Sequence, residues 1–236
     1  MSVLVIGGSG YVGTGVLPFL VDQYDITVFD LKPPKVDGVG YIQGSIFDRE
    51  ALSIAIGSCD SLIFMAMATE NKDGPTTFEH YVEGNVLAIY RTLEAVAETN
   101  IRHVVHTSSV SVHDESRTYF ESEDLPMDAR GPYGLSKAMG EMVCRQFAHV
   151  QKLSVIALRL YAPTPPEVWR RRMETDVRCG YTTFRDTARA YSAALEKTNH
   201  HGFDAVFISG DPTGRYVNCA KAREFLGWEP LDRLPQ

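Results

Sequence analysis

Cysteine is scarce in this chain: four residues in 236, at Cys59, Cys144, Cys179 and Cys219, with no CxxC pair among them. Their spacings match no metal motif, so no bound metal is expected and the thiols read as reduced, packing side chains. Positive charge is also short. Lys and Arg number 23 against 30 Asp and Glu, a net charge of −7, which argues against a nucleic-acid surface. No apolar stretch approaches the length that crosses a bilayer, so no membrane partner is expected. The first residues enter a strand pattern at once, which leaves no room for a signal peptide. Reduced thiols and the lack of a leader together predict a cytoplasmic protein. There is no internal repeat and no low-complexity tract.

What is present is an alternation of strand and helix patterns. Apolar, β-branched runs predict strands at Ser2–Ile6, Ile26–Asp30, Gly40–Gln43, Ser61–Met67, His103–Ser108 and Ser154–Leu160. Helical patterns fall at Gly10–Val21, Asp48–Ile56, Thr76–Thr99, Gly134–Val150 and Thr183–Lys197. Several strands are continuous apolar runs, as expected where both faces of a sheet are covered. The alternation predicts an α/β fold with a doubly wound parallel sheet, whose ligands bind at the carboxyl ends of the strands. One domain over residues 1–236 is expected. The proline-rich stretch from Pro163 to Arg172 breaks the alternation and is read as irregular. Residues 163–182 and 210–236 are expected to form a small, shortened substrate-side region. A short helix at Asn218–Leu226 is expected within it.

The first thirty residues carry the sharpest signal. Val3-Leu4-Val5-Ile6 runs into Gly7-Gly8-Ser9-Gly10-Tyr11-Val12-Gly13, and the next strand ends in Asp30. A glycine-rich strand-to-helix turn with an acid about twenty residues on is the dinucleotide-binding fingerprint. Gly7 permits the tight turn, Gly10 lets the backbone approach a pyrophosphate, and Gly13 lets helix and strand pack closely. The helix start, at Tyr11 and Val12, offers N–H groups to phosphate. The Asp30 carboxylate can accept from both ribose hydroxyls and repels a 2′-phosphate, which favours NAD over NADP. Ala66 is placed against the cofactor by its position at the end of the fourth strand. Asp48 reads as a helix N-cap.

A second constellation lies further on. The strand ending in Thr107-Ser108-Ser109 is followed, twenty-four residues after Ser109, by Tyr133-Gly134-Leu135-Ser136-Lys137. Tyr133 and Lys137 are four apart and share a helix face. An ammonium beside a phenol favours the phenolate and lowers its pKa from about 10. Tyr133 tuned in this way is a candidate general acid or base, with Ser109 holding the same substrate oxygen. Ser108 and Ser111 remain alternatives for that serine role.

On these motifs, together with Leu158-Arg159-Leu160-Tyr161-Ala162-Pro163 and Leu226-Gly227-Trp228-Glu229-Pro230, the chain resembles the short-chain dehydrogenase/reductase superfamily. The likeness is to its extended branch of NAD-dependent epimerases, dehydratases and sugar dehydrogenases. The resemblance implies a Rossmann fold, NAD as cofactor, and Ser109, Tyr133 and Lys137 as the catalytic set, with Lys137 also holding the nicotinamide ribose. It places Ser45 and Ile46 beside the adenine, where family members often have Gly-Asp, and Tyr161 beside the nicotinamide, though a core aromatic fits that position equally. Asn85 matches a family asparagine that is often structural.

The departures narrow the substrate. Where the family often has Val-Tyr-Gly, this chain has Val112-His113-Asp114, so His113, with Ser111, becomes a candidate substrate contact beside the plainer reading of a loop histidine. The Asp-Glu pair of dehydratases is missing after Ser109. Only about twenty residues separate Pro163 from Phe184, too few to grip a nucleoside diphosphate in the family manner. A small sugar, sugar acid or cyclitol fits better, as in the family's uronate dehydrogenases. Arg170, Arg171 and Arg172 can clamp a carboxylate bidentately, with Arg171 taken as the contact; a solvated basic turn is the alternative. A nucleotide-sugar epimerase or dehydratase with bound NAD, or a dinucleotide-sensing regulator without turnover, are the competing functions. Family members often pair through two long helices, here Thr76–Thr99 and Gly134–Val150, so a homodimer is an expectation. Leu87, Tyr90, Leu93, Met139 and Val143 suit that face.

Overall fold

The period-2 alternation within the strands divides the molecule into two layers of core. In the computed structural model, which describes residues 1–57, 59–68, 76–175 and 180–233, Val3 and Val5 of β1 (Ser2–Ile6) join one apolar cluster and Leu4 and Ile6 join the other. The first cluster is covered by α1 (Tyr11–Val16) and α7 (Phe184–Glu196). The second is covered by α2 (Arg49–Ile56), α4 (Ala88–Ala97) and α5 (Pro132–Gln151). Such two-sided burial is why the strands read as unbroken apolar runs.

The sheet is parallel and seven-stranded, in the order β3-β2-β1-β4-β5-β6-β9. The remaining strands are β2 (Asp25–Asp30), β3 (Gly40–Gln43), β4 (Ser61–Phe64), β5 (His103–Ser109), β6 (Ser154–Leu160) and β9 (Gly202–Ile208). Strand order reverses between β1 and β4, which opens the ligand crevice at their carboxyl ends. β5 and β6 pair in register from His103↔Ser154 to Ser109↔Leu160, which delivers Ser109 and Tyr161 to the same edge. A two-stranded patch of β7 (Pro163–Thr164) and β8 (Thr182–Thr183) stands beyond that edge.

Several expectations are corrected. β9 was not expected; its charged start at Asp204 hides the run Ala205–Ile208, yet it pairs with β6 over seven residues. The Pro163–Arg172 stretch is not irregular: α6 (Pro166–Thr175) begins on a proline, whose missing N–H costs nothing there, and buries Trp169. The fourth strand ends at Phe64 rather than Met67. The long helix expected at 76–99 is α3 (Phe78–Val82) and α4 separated by a π turn at Glu83–Leu87. The extra residue turns Asn85 inward, where its Oδ1 accepts from Ala68 N–H at 3.1 Å and its Nδ2 donates to Ser136 Oγ at 2.9 Å. The tail helix shrinks to a π turn at Ala222–Leu226, ended by Gly227 at φ +66°. The buried Trp228 indole then donates to the Asp186 carbonyl at 3.0 Å. Asp48 caps α2 as expected, accepting from Ala51 N–H. Among the described residues no helix is long and apolar enough to cross a membrane.

Candidate active site

Glycine builds the cofactor half of the carboxyl edge. Gly7 has φ +83°, and a Cβ there would lie 2.4 Å from the backbone of Ala66. A Cβ on Gly13 would lie 2.1 Å from the Gly8 carbonyl oxygen, so α1 can sit this close to the turn only with glycine. Gly10 caps α1, and its missing side chain would meet only the Gly7 oxygen at 3.3 Å. Asp30 ends β2 facing this turn: its Oδ2 accepts from Ser9 N–H at 3.0 Å and its Oδ1 from Lys32 N–H at 3.3 Å. The Gly44 N–H donates to the Asp30 carbonyl and so sets Ser45 and Ile46 beside that acid. Ser45 Oγ is occupied locally by Phe47 N–H, and Ile46 lines a separate 370 Å³ cavity with Arg49 and Arg91. The Tyr11 ring is 64% exposed and lies against Phe184. The tight turn, the side-chain-free approach at Gly10 and the carboxylate fit the pyrophosphate and adenosine ribose of NAD.

The catalytic candidates meet in a 440 Å³ cavity at the same edge, lined by Ser109, Ser111, Tyr133 and Lys137 together with Val12 and Tyr161. Gly134 explains the closeness: a Cβ there would lie 2.0 Å from the Ser111 carbonyl oxygen, so the first turn of α5 is pressed onto the end of β5. Ser109 Oγ accepts from Ser111 N–H at 3.1 Å and donates to Ser111 Oγ at 3.0 Å. Lys137 is buried, donates to the Thr107 carbonyl at 3.0 Å and lies 5.9 Å from the Tyr133 ring centroid. Burial pulls the Lys137 ammonium down to about 8. Tyr133 departs from expectation. Burial raises its pKa, Ser109 pulling the other way by hydrogen bonding and the Glu115 charge adding to the rise. Desolvation thus outweighs the Ser109 hydrogen bond in the protein alone.

Two expected substrate contacts lie elsewhere. His113 is buried beneath the cavity wall, its Nδ1 against the Pro126 carbonyl and its Nε2 against Arg159. Arg171 is exposed on α6, where consecutive residues diverge by about 100° and three arginines cannot converge on one anion. Of the three, Arg172 reaches Tyr181, 5.3 Å from its ring centroid. The walls that the sequence did not reveal are Met65, Met67, Glu115, Phe120, Tyr181 and Tyr216. A signal did exist for Tyr216. Asp211-Pro212-Thr213-Gly214 is a turn sequence, and the Asp211 carboxylate accepts from the backbone N–H of Thr213, Gly214, Tyr216 and Val217. A larger groove of 790 Å³, between α7 and residues 224–228, contains none of the candidate residues.

Comparison with known proteins sets this site in context. Residues 3–179 match the family model described as "NAD dependent epimerase/dehydratase family". The chain is 28% identical over 150 residues to N-acetyl-alpha-D-glucosaminyl-diphospho-ditrans,octacis-undecaprenol 4-epimerase of Escherichia coli O157:H7, covering 62% of this chain and 43% of that one. It is 21% identical to NAD-dependent glucose-6-phosphate dehydrogenase of Haloferax volcanii, over 98% of this chain and 93% of the other. The crystal structure of a UDP-glucuronic acid 4-epimerase from Bacillus cereus in complex with NAD superposes with a TM-score of 0.78 at 20% identity, covering 99% and 94% of the two chains, and shows the shared fold. The chain spans about half the length of the first curated relatives it matches. By the match of its residues 3–179, this chain belongs to the NAD dependent epimerase/dehydratase family.

Proposed function

We propose that the protein is an NAD-dependent oxidoreductase that moves hydride between nicotinamide and a small sugar, sugar acid or cyclitol. The observation that carries this reading is the 440 Å³ cavity, which brings Ser109, Tyr133 and Lys137 together beside the strand-order switch point. NAD, when bound, supplies the hydride acceptor and the positive charge of its oxidised ring. The chain's own residues handle the proton. Ser109 and Tyr133 hold the substrate oxygen, and Tyr133 takes its proton in oxidation or returns it in reduction. Lys137, fixed by the Thr107 carbonyl, steadies the phenolate and is placed to hold the nicotinamide ribose. The glycine turn, Val12 and Ala66 hold the remainder of NAD, Asp30 accepts from its adenosine ribose, and Tyr161 borders the nicotinamide. The short segment between β7 and β8 supports a small substrate over a nucleoside diphosphate.

The epimerase names of several relatives support a second reading, in which the same site returns its hydride to the substrate. One domain, with 163–182 and 210–236 as its substrate-side region, is supported by Pro163, Tyr181 and Tyr216 on the cavity wall. A homodimer through the two long helices is supported by the exposed Leu87 and Tyr90, whereas Leu93 is buried and Val143 packs against the core. A cytoplasmic location is supported by the free thiols of Cys144 and Cys219; Cys179 lies outside the described residues.

The test is the absorbance of reduced nicotinamide, with protein, NAD and a panel of free sugars, uronates and cyclitols. A stoichiometric rise with one class is expected. A flat trace across the panel, with NAD shown to be bound, would contradict a net dehydrogenase.

A further inference from the structure

Arg159 is the most heavily engaged side chain behind the cavity. It is 2% exposed on β6 and forks onto Glu141, 1% exposed, through Nε to Oε1 at 2.9 Å and Nη2 to Oε2 at 2.7 Å. Glu141 stands one helical step beyond Tyr133 and Lys137 on the same face of α5, and Ser108, next to Ser109, donates to it. The remaining nitrogen, Nη1, donates to the Glu123 carbonyl at 2.7 Å and to His113 Nε2 at 3.0 Å. A guanidinium has no acceptor, so His113 Nε2 must be the bare nitrogen. The proton then sits on Nδ1, which donates to the Pro126 carbonyl at 2.8 Å. Geometry alone thus fixes both the tautomer and the charge of this imidazole.

The consequence reaches the cavity. His113 and Pro126 bracket residues 113–126, the segment that carries Glu115 and Phe120 into the cavity wall. We propose that His113 is a positioning residue, whose neutral Nδ1–H imidazole ties this segment to Arg159, and through Glu141 to the helix that carries Tyr133 and Lys137. The inference rests on the reading of this cavity as the active site. A second proton on His113 would replace the acceptor with a donor and set an imidazolium 3.0 Å from a guanidinium. The charged groups facing the ring are Arg159 on β6, Glu141 on α5 and Asp128 on the following loop; Phe207 on β9 and Phe120 enclose it with apolar surface. Burial and Arg159 hold the ring neutral against the pull of the two carboxylates.

The nitrogen-15 spectrum of the His113 imidazole tests this without substrate. We expect one neutral Nδ1–H tautomer at about pH 6.5, where an ordinary histidine is about half protonated. A protonated ring or an Nε2–H tautomer at pH 6.5 would overturn the proposal. In His113→Phe, which keeps a ring and loses the acceptor, amide exchange at residues 114–125 should accelerate by about tenfold or more while α2 is unchanged. With a substrate from the sugar panel, KM should rise about fivefold or more with kcat within about threefold, and His113→Gln, which retains a side-chain acceptor, should recover part of the loss. Unchanged exchange and unchanged KM in His113→Phe would sink the idea, as would a lower melting temperature alone. If His113→Phe does not fold, His113→Gln and the wild-type spectrum decide. If no sugar of the panel is turned over, the small-sugar dehydrogenase reading fails, while the tautomer and exchange results still decide the tie itself.

Discussion

The two halves of the carboxyl edge are built by different means. The cofactor half, at the ends of β1, β2 and β4, is made by backbone: Gly7 and Gly13 remove side chains where β4 and the turn come within contact, and one carboxylate, Asp30, faces the space that results. The substrate half, at the ends of β5 and β6, is made by side chains from distant segments. Tyr133, Tyr161, Tyr181 and Tyr216 come from four separate stretches, and the fully buried Glu141–Arg159 pair stands beneath them. A backbone site tolerates no added atoms but needs no partners. A side-chain site holds its geometry only while its buried partners stay matched.

The largest effect expected from breaking that contrast is at the buried pair. Glu141→Gln leaves the Arg159 charge without a counter-ion and should destabilise the fold by about 3–5 kcal/mol in denaturant titration. Joint replacement of Glu141 and Arg159 by Met should recover most of the loss; a double variant that loses the sum of the two single losses would show that the pair is not a unit. Next comes Gly13→Ala, whose Cβ meets the Gly8 oxygen. It should weaken NAD binding about a hundredfold in calorimetry, some 2.7 kcal/mol, and retention of wild-type affinity would refute the close-packing account.

A smaller effect concerns acid. His106, fully buried with neither ring nitrogen partnered among the described residues, is pushed down to about 3, first by burial and then by the Lys137 charge. Its folded value lies below the unfolded one, so the native state excludes a proton that the unfolded chain binds. Stability from this group is whole above about pH 6.5 and drains away as pH falls toward 3. His106→Leu should therefore recover about 2 kcal/mol at pH 5 and little at pH 8. An unchanged pH profile would clear His106 of the effect. The smallest is Asp30→Asn, expected to cost NAD about tenfold in affinity, roughly 1.4 kcal/mol, while NADP improves. Equal losses for both dinucleotides would remove Asp30 from cofactor selection.

The same contrast explains what the sequence disclosed. The glycine turn, Asp30 and the Tyr133–Lys137 pair are local patterns, and a parallel sheet carries each to the carboxyl edge wherever its strand stands. Ser109 was legible for the same reason. What depended on long-range pairing was not. β9 carries Asp204 among its first residues and shows its character only against β6; the π turn at Asn85 answers to Ser136, fifty-one residues away. His113 reads as a loop residue until Arg159 reaches it from another strand. The helix spacing of Tyr133 and Lys137 predicted an acidic phenol, yet burial, invisible in spacing, raises it instead.

The most direct test of the account is Tyr133→Phe, assayed for NAD binding and turnover in the same preparation. The account predicts an NAD dissociation constant within about threefold of wild type and a turnover lower by about a thousandfold, within the range of a lost acid–base catalyst. Turnover within about tenfold of wild type would place the proton chemistry on another residue and contradict the mechanism.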